Sequence, residues 1–173
     1  MNAVASPASV ESVTSFRIER ERSGDAAAVD ALVLAAFGPG RFAKTAERLR
    51  EASELARGFS AYEGDRLIGS VRLWSIMVGE APAVFLGPIA VDASSRRGGL
   101  GAELVRACLD EAKAMQLDGV LLIGDPPYFS RFGFVPAPQA VFFGPVDQRR
   151  VMWLPIGAAE PAGAVRPIKG RIA

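Results

Sequence analysis

An almost wholly apolar segment at residues 84–91 constrains most strongly what this chain can fold into. An apolar run of strand length indicates a β-strand that is buried on both faces and therefore lies centrally in a sheet. Gly87 and Pro88 lie within the run and should interrupt its pairing. Proline has no N–H to donate to a neighbouring strand. We therefore expect a central strand that bulges or splays at these two residues.

The hydrophobic pattern around this segment changes repeatedly between helical and strand periods. A helix is predicted just before Gly38-Pro39-Gly40, and Gly64-Asp65 is predicted to join two strands as a hairpin. Further helices are predicted over residues 43–55 and 99–116, and further strands over residues 16–19, 59–63, 67–78, 119–123, 141–143 and 151–154. Residues 157–173 are too rich in Gly, Ala and Pro for a prediction. This order favours a mixed α/β fold in which the strands on either side of helix 99–116 run parallel.

The composition excludes several kinds of function. The chain has no histidine and a single cysteine, so Ser-His and Cys-His catalysis and an internal disulfide are excluded, and we expect no metal site. Cys108 falls on the apolar face of its helix, where we expect a core residue. The 20 basic residues nearly balance the 19 acidic ones, which gives no reason to expect nucleic acid or a membrane as partner. We expect one domain over residues 16–173, a flexible tail over residues 1–15 and a cytoplasmic location.

The loop after the apolar strand has the properties of an anion site. Arg96 and Arg97 precede Gly98 and Gly99, and a strongly amphipathic helix follows. The first turn of a helix has unpaired N–H groups and the positive end of the helix dipole. Glycines let an anion come close to those groups, so this order of elements predicts a phosphate or pyrophosphate site.

Two common phosphate motifs do not account for this loop. A Walker loop needs Gly-Lys-Ser/Thr, which is absent. A Rossmann loop needs a third glycine at the position that Leu104 occupies. Another phosphate-bearing ligand is therefore expected.

The chain resembles the GNAT superfamily of acetyltransferases. The match is to the signature Arg/Gln-x-x-Gly-x-Gly/Ala, which is represented here by Arg96, Gly99 and Gly101. The resemblance extends from about Leu86 to Phe134. The resemblance implies a central, mixed, mostly antiparallel sheet with a splayed central strand and helices on both faces. It also implies acetyl-CoA, or coenzyme A, as the co-substrate. The implied pyrophosphate loop comprises Arg96, Arg97, Gly98, Gly99, Leu100, Gly101 and Ala102, and the implied pantetheine-binding strand comprises Ile89, Ala90 and Val91.

The run Gly-Asp-Pro-Pro-Tyr-Phe-Ser-Arg-Phe-Gly-Phe at residues 124–134 resembles the Gly-Asp-Pro-x-Tyr-Tyr-x-Arg-Phe-Gly-Phe run of a bacterial subfamily of predicted N-acetyltransferases. Many family members have a tyrosine four residues before the glycine of the Gly-Phe pair, where it protonates the leaving thiolate. Phe129 occupies that position here and has no proton to give. We expect Phe129 to line the cofactor site. Either Tyr128 or water then supplies the proton, or catalysis is weak or absent.

The family mechanism implies direct attack of an amine on the thioester, without an acyl-enzyme. A backbone N–H within residues 89–91 is the candidate for polarising the thioester carbonyl. Asp125 is the best-placed catalytic carboxylate, and its alternative role is that of a turn residue beside two prolines. Glu47, Glu51 and Glu54 are candidates for binding a cationic amine, although we expect a solvated helix face there.

The sequence therefore predicts an acetyl-CoA-dependent N-acetyltransferase that acts on a small-molecule or peptide amine, as a monomer or homodimer. The alternative is a non-catalytic acyl-CoA-binding or sensory module that kept the cofactor loop and lost the acid at Phe129. A third hypothesis, nucleic-acid binding through Arg96, Arg97, Arg149 and Arg150, is disfavoured by the balanced charge.

Overall fold

The computed structural model describes residues 15–170, so most of the predicted tail and the last three residues lie outside the described part of the chain. The described residues form nine strands and four α-helices. In chain order these are β1 (Arg17–Arg20), α1 (Ala26–Phe37), α2 (Thr45–Ala52), β2 (Leu55–Glu63), β3 (Arg66–Val78), β4 (Ala81–Val91), α3 (Leu100–Ala114), β5 (Gly119–Ile123), α4 (Pro126–Phe129), β6 (Val135–Pro136), β7 (Ala140–Val141), β8 (Val151–Pro155) and β9 (Gly163–Pro167).

The strands form a mixed sheet in the order β1-β2-β3-β4-β5-β8-β6, with β9 added at the end of β3. Only the β4–β5 pair is parallel along this path, and the other neighbours are antiparallel. The expected mostly antiparallel sheet is therefore confirmed. The central position of the apolar strand and the parallel unit on either side of α3 are confirmed as well.

Helices cover both faces of the sheet, as expected. On β4, Val84 and Leu86 pack in the core beneath α3, whereas Phe85 packs with Leu49 of α2 on the opposite face. Ala90 packs against α1. Each large apolar side chain buried in this way stabilises the fold by about 1.5–3 kcal/mol. The two-sided core explains why residues 84–91 are apolar without alternation.

The predicted irregularity of β4 lies at Gly87 and Pro88. Val71 of β3 pairs with Ile89, whereas Leu73 pairs with Leu86, so β4 has one extra residue between the two pairs. β4 pairs with β3 both before and after this bulge, whereas its pairing with β5 ends at Phe85.

The predicted boundaries were wrong where distant strands pair. The second helix ends at Ala52 rather than residue 55, because Leu55 already pairs with Trp74 of β3. Part of the unpredicted segment after residue 157 forms β9, in which Val165 pairs with Val78. The strand expected over residues 141–143 reduces to β7. Within residues 15–170, the helices are too short or too polar to cross a membrane.

Candidate functional site

The splayed strand opens a cleft between β4 and β5. The two strands pair only from Ala83 to Phe85 on β4, and β4 then continues to Val91 without β5 beside it. The cleft has a volume of about 370 Å³. Its apolar walls come from Leu86, Pro88, Ile89, Leu122, Ile123 and Phe129. One edge of β4 is therefore left with backbone groups that no described strand pairs.

A glycine-rich turn joins β4 to α3. Residues 93–98 form a 3-10 turn that begins where Asp92 accepts a hydrogen bond from the Ser94 N–H at 3.0 Å. Gly99 then adopts a φ of +71°, a left-handed conformation that favours glycine. A Cβ at Gly99 would meet no atom within 4 Å, so the space above the first turn of α3 is open. The N–H groups of the first turn of a helix have no partner within the helix, so this open space is of the kind that can hold an anion.

A second cavity of about 410 Å³, here called the loop cavity, lies over this turn. It brings together seven of the predicted residues: Ile89, Val91, Arg96, Gly99, Gly101, Ala102 and Tyr128. Ile89 lines the cleft as well, so the two cavities adjoin along the free edge of β4.

The other predicted loop residues contribute differently. The side chains of Ala90 and Leu100 are buried in the core, with exposures of 1% each, so only their backbones are available to a ligand. Gly98 is exposed in the turn. Arg97 belongs to the same 3-10 turn.

Arg131 is a further basic residue of the loop cavity that the sequence analysis missed. Its guanidinium lies over the Tyr128 ring, 4.4 Å from the ring centre. Arg96 and Arg131 thus line the same cavity, where they add positive charge to the helix terminus. The signal was present in the sequence, because Arg131 belongs to the Arg-Phe-Gly-Phe run.

The neighbouring aromatic residues of α4 point into different cavities. Phe129 lines the cleft, and Tyr128 lines the loop cavity. Their rings meet edge to face with centroids 5.0 Å apart. A Cβ on Gly101 would lie 3.6 Å from the Tyr128 hydroxyl, so this hydroxyl is next to the first turn of α3. The phenylalanine, rather than the tyrosine, therefore faces the space between the splayed strands.

Asp125 lines the cleft at the end of β5. Its backbone carbonyl accepts hydrogen bonds from the N–H groups of Tyr128 and Phe129, which begins α4. Its exposed side chain accepts no hydrogen bond from residues 15–170 in this arrangement. The two predicted catalytic residues, Tyr128 and Asp125, thus line different cavities.

A charged cluster on α2 and the preceding turn forms part of the cleft wall. Glu47 accepts hydrogen bonds from Arg41 at 2.7 Å and from Arg50 at 3.3 Å. Glu47 is only 7% exposed, so the solvated face expected for it was wrong. Burial lowers the pKa of the Arg50 guanidinium to about 10, since the charged form loses hydration. The burial of Glu47 was not predictable from the sequence, because an alternating run of charges on a helix is also typical of an exposed surface.

Glu51 and Glu54 differ from Glu47. Both are exposed, and Glu54 accepts a hydrogen bond from the Gly170 N–H. Cys108 is fully buried in the core beneath α3, as predicted, and burial raises the pKa of its thiol. A thiol held neutral in this way is not a nucleophile.

Comparison with known proteins identifies a family. Residues 27–134 match the model of the acetyltransferase (GNAT) family. The uncharacterized N-acetyltransferase YhbS of Escherichia coli K12 is 34% identical over 113 residues, which cover 64% of this chain and 68% of the relative.

Two solved structures share the fold over nearly their full length. The crystal structure of YhbS from Escherichia coli in complex with CoA aligns with a TM-score of 0.76 at 27% identity and covers 96% of this chain and 94% of that one. A GNAT family acetyltransferase from Brucella melitensis in complex with acetyl-CoA aligns with a TM-score of 0.70 at 25% identity and covers 88% of this chain and 96% of that one.

Proposed function

The chain belongs to the GNAT family of acetyltransferases, and from that premise we propose that it binds acetyl-CoA along β4 and transfers the acetyl group to an amine. One observation carries the proposal. The free edge of β4 runs from the cleft at Gly87 to the open glycine turn at the start of α3. An extended thioester with a pyrophosphate at one end matches that shape and that distribution of charge.

The loop cavity is the proposed site of the pyrophosphate. N–H groups at the start of α3 donate to the phosphate oxygens, and Arg96 and Arg131 supply charge. The pantetheine arm then lies along residues 89–91, whose outer backbone groups no described strand pairs. The two relatives solved with CoA or acetyl-CoA support this assignment.

The cleft is the proposed site of the thioester. The amine nitrogen attacks the carbonyl carbon, the carbon–sulfur bond breaks, and its electron pair goes to sulfur. A backbone N–H near Ile89 polarises the carbonyl, and the cleft walls hold the two reactants together. Asp125 is our candidate for removing the amine proton, because its carboxylate lines this cleft.

The proton that the leaving thiolate takes up has two candidate sources. The Tyr128 hydroxyl lies beside Gly101, and Tyr128 shares the loop cavity with Ile89. Water in the cleft is the other source, since Phe129 has no proton to give.

Thermal unfolding with acetyl-CoA, CoA, ATP and NAD in parallel tests the proposal. A ligand at a hundred times its dissociation constant adds about 2.7 kcal/mol, which is roughly 5–10 °C for a chain of this size. We expect this shift with the two CoA compounds and not with ATP or NAD. No shift with either CoA compound would overturn the assignment of the loop cavity.

A second function, a non-catalytic acyl-CoA-binding module, is favoured by one observation. The residue that faces the splayed strands from α4 is Phe129, which lacks an acid group. Release of CoA thiol in the presence of amines distinguishes the two functions. Tight binding of acetyl-CoA without thiol release across a broad panel of amines would favour the module.

A further inference from the structure

Arg41, Glu47 and Arg50, here called the charged triad, stand in the wall between two cavities. One is the cleft, and the other is a cavity of about 460 Å³ on the side of α1. All three side chains line both cavities. The triad therefore borders the space through which an acceptor must reach the thioester.

The triad is unbalanced in charge. Two guanidinium groups share the single Glu47 carboxylate, and no other carboxylate among residues 15–170 forms an ion pair with Arg41 or Arg50. The side chains of Arg41, Glu47 and Arg50 are only 14%, 10% and 15% exposed. An uncompensated charge with so little hydration is unfavourable. One further anion would neutralise the site.

Arg50 has donors available for that anion. Its Nη1 donates to Glu47 and its Nε is buried without a partner, whereas its Nη2 makes no hydrogen bond within the described chain and is the donor left for a ligand. The Nη2 atom lies 2.8 Å from where a Cβ of Gly87 would be. Gly87, where β4 separates from β5, is here called the splay point. The Cζ atom of Arg50 lies over the Phe85 ring, 5.1 Å from the ring centre. A guanidinium nitrogen held in this way can donate a charge-assisted hydrogen bond to a carboxylate.

Two further cations line the cleft. Lys44 and Arg150 form no ion pair with any residue between 15 and 170, and the Arg150 Nε donates to the Gly124 carbonyl at 3.2 Å. With the triad and Asp125 counted, the cleft is lined by four cations and two carboxylates, and this excess of positive charge favours the entry of an anion.

We infer that the acceptor is an amine that also carries a carboxylate, and that Arg50 binds the carboxylate beside the splay point. This inference rests on the proposed acetyl transfer. The amine nitrogen bonds to the acetyl carbon, the carbon–sulfur bond breaks with its electrons going to sulfur, and the proton lost by nitrogen reaches the thiolate through water or a side chain. The products are an N-acetylated acid and CoA.

Matched pairs of amines test the inference on the unmodified protein. Amino acids and ω-amino acids are compared with the corresponding amines that lack the carboxylate, and kcat/KM is measured from thiol release. A charge-assisted hydrogen bond is worth roughly 10- to 100-fold, so we expect a preference of that size for the acids. Aminoalkylphosphonates form a third arm, and their preference over the carboxylates would assign the site to phosphorylated or phosphonylated amines instead.

The variant Arg50→Gln tests whether Arg50 causes the preference for carboxylated amines. We expect KM for the carboxylated amine to rise and the ratio of kcat/KM between the carboxylated amine and its matched simple amine to fall to about one. Arg48→Gln, an exposed position on the same helix, is the control and should keep the preference. A preference that survives in Arg50→Gln would overturn the role of Arg50.

The two proposals fail in different ways. Absence of a thermal shift with acetyl-CoA would remove the proposed function. A normal shift combined with no turnover of any carboxylated amine, or with equal turnover of the matched simple amines, would overturn the acceptor inference and leave the CoA site standing.

Discussion

The guanidinium of Arg50 occupies the space above Gly87, so that a Cβ at position 87 would lie 2.8 Å from the Arg50 Nη2 atom. The contact links Arg50, the member of the charged triad at the end of α2, to the point where β4 leaves β5. Trp74 fixes the same glycine from β3, because its Nε1 donates to the Gly87 carbonyl at 2.7 Å. Gly87 therefore contacts both β3, through Trp74, and the cleft wall, through Arg50.

Gly87→Ala should destabilise the protein by about 1–3 kcal/mol, because φ is +128° at this position and the new methyl group displaces Arg50. Urea unfolding measures the change. Gly24→Ala is the matched control, since a Cβ at Gly24 would meet no atom within 4 Å. When Arg50 is also replaced by Ala, the loss of stability caused by the clash with Arg50 should disappear. The loss caused by the unfavourable φ of residue 87 should remain. Equal stability of Gly87→Ala and the unmodified protein would contradict this account.

Gly99→Glu should abolish CoA binding and leave the fold intact. The site has open space for the side chain, but a carboxylate at the start of α3 repels the pyrophosphate. Isothermal titration measures binding, and circular dichroism checks the fold. Gly99→Ala isolates the cost of the +71° φ without adding charge, and it should bind more tightly than the glutamate variant. Normal binding by Gly99→Glu would place the pyrophosphate elsewhere.

Tyr128→Phe should lower kcat by about 100-fold if its hydroxyl protonates the thiolate, with little change in the affinity for CoA. The pH profile of kcat should change as well, because the proton donor is lost. An unchanged kcat across the pH range would eliminate Tyr128 from this role and leave water as the donor.

The companion variant Phe129→Tyr places a hydroxyl on the side chain that lines the cleft. If proton supply to the thiolate limits turnover, this variant should raise kcat and should rescue Tyr128→Phe. A rise in CoA affinity without faster turnover would indicate that the new hydroxyl binds the cofactor only.

Asp25→Asn should flatten the acid limb of the stability curve. The Tyr62 hydroxyl donates to the Asp25 carboxylate at 2.5 Å, and this bond, with one from the Arg22 N–H, lowers the pKa of Asp25. A lowered pKa in the folded state gives stability that is present above the unfolded pKa of about 3.9 and is lost as the pH falls through the folded value. Urea unfolding between pH 2 and pH 7 measures this dependence. An acid limb of the same slope in Asp25→Asn would assign the loss to other carboxylates.

Local patterns were enough to predict several parts of this protein. The apolar run at residues 84–91 indicated a central strand because burial on both faces leaves no polar position. The pairing defect at Gly87 and Pro88 followed from the missing N–H of proline, and the glycines after the strand indicated the turn from which α3 begins. Each of these inferences needs only residues that are close together along the chain.

Only the tertiary structure decided which distant residues meet. The burial of Glu47 between Arg41 and Arg50 depends on how α2 lies against β4, and a helical run of charges does not contain that information. The separation of Tyr128 and Phe129 into adjacent cavities depends on the direction of α4, and β9 exists because Val165 meets Val78. Packing between elements sets these contacts, and its free energy comes from surfaces that are far apart in the sequence.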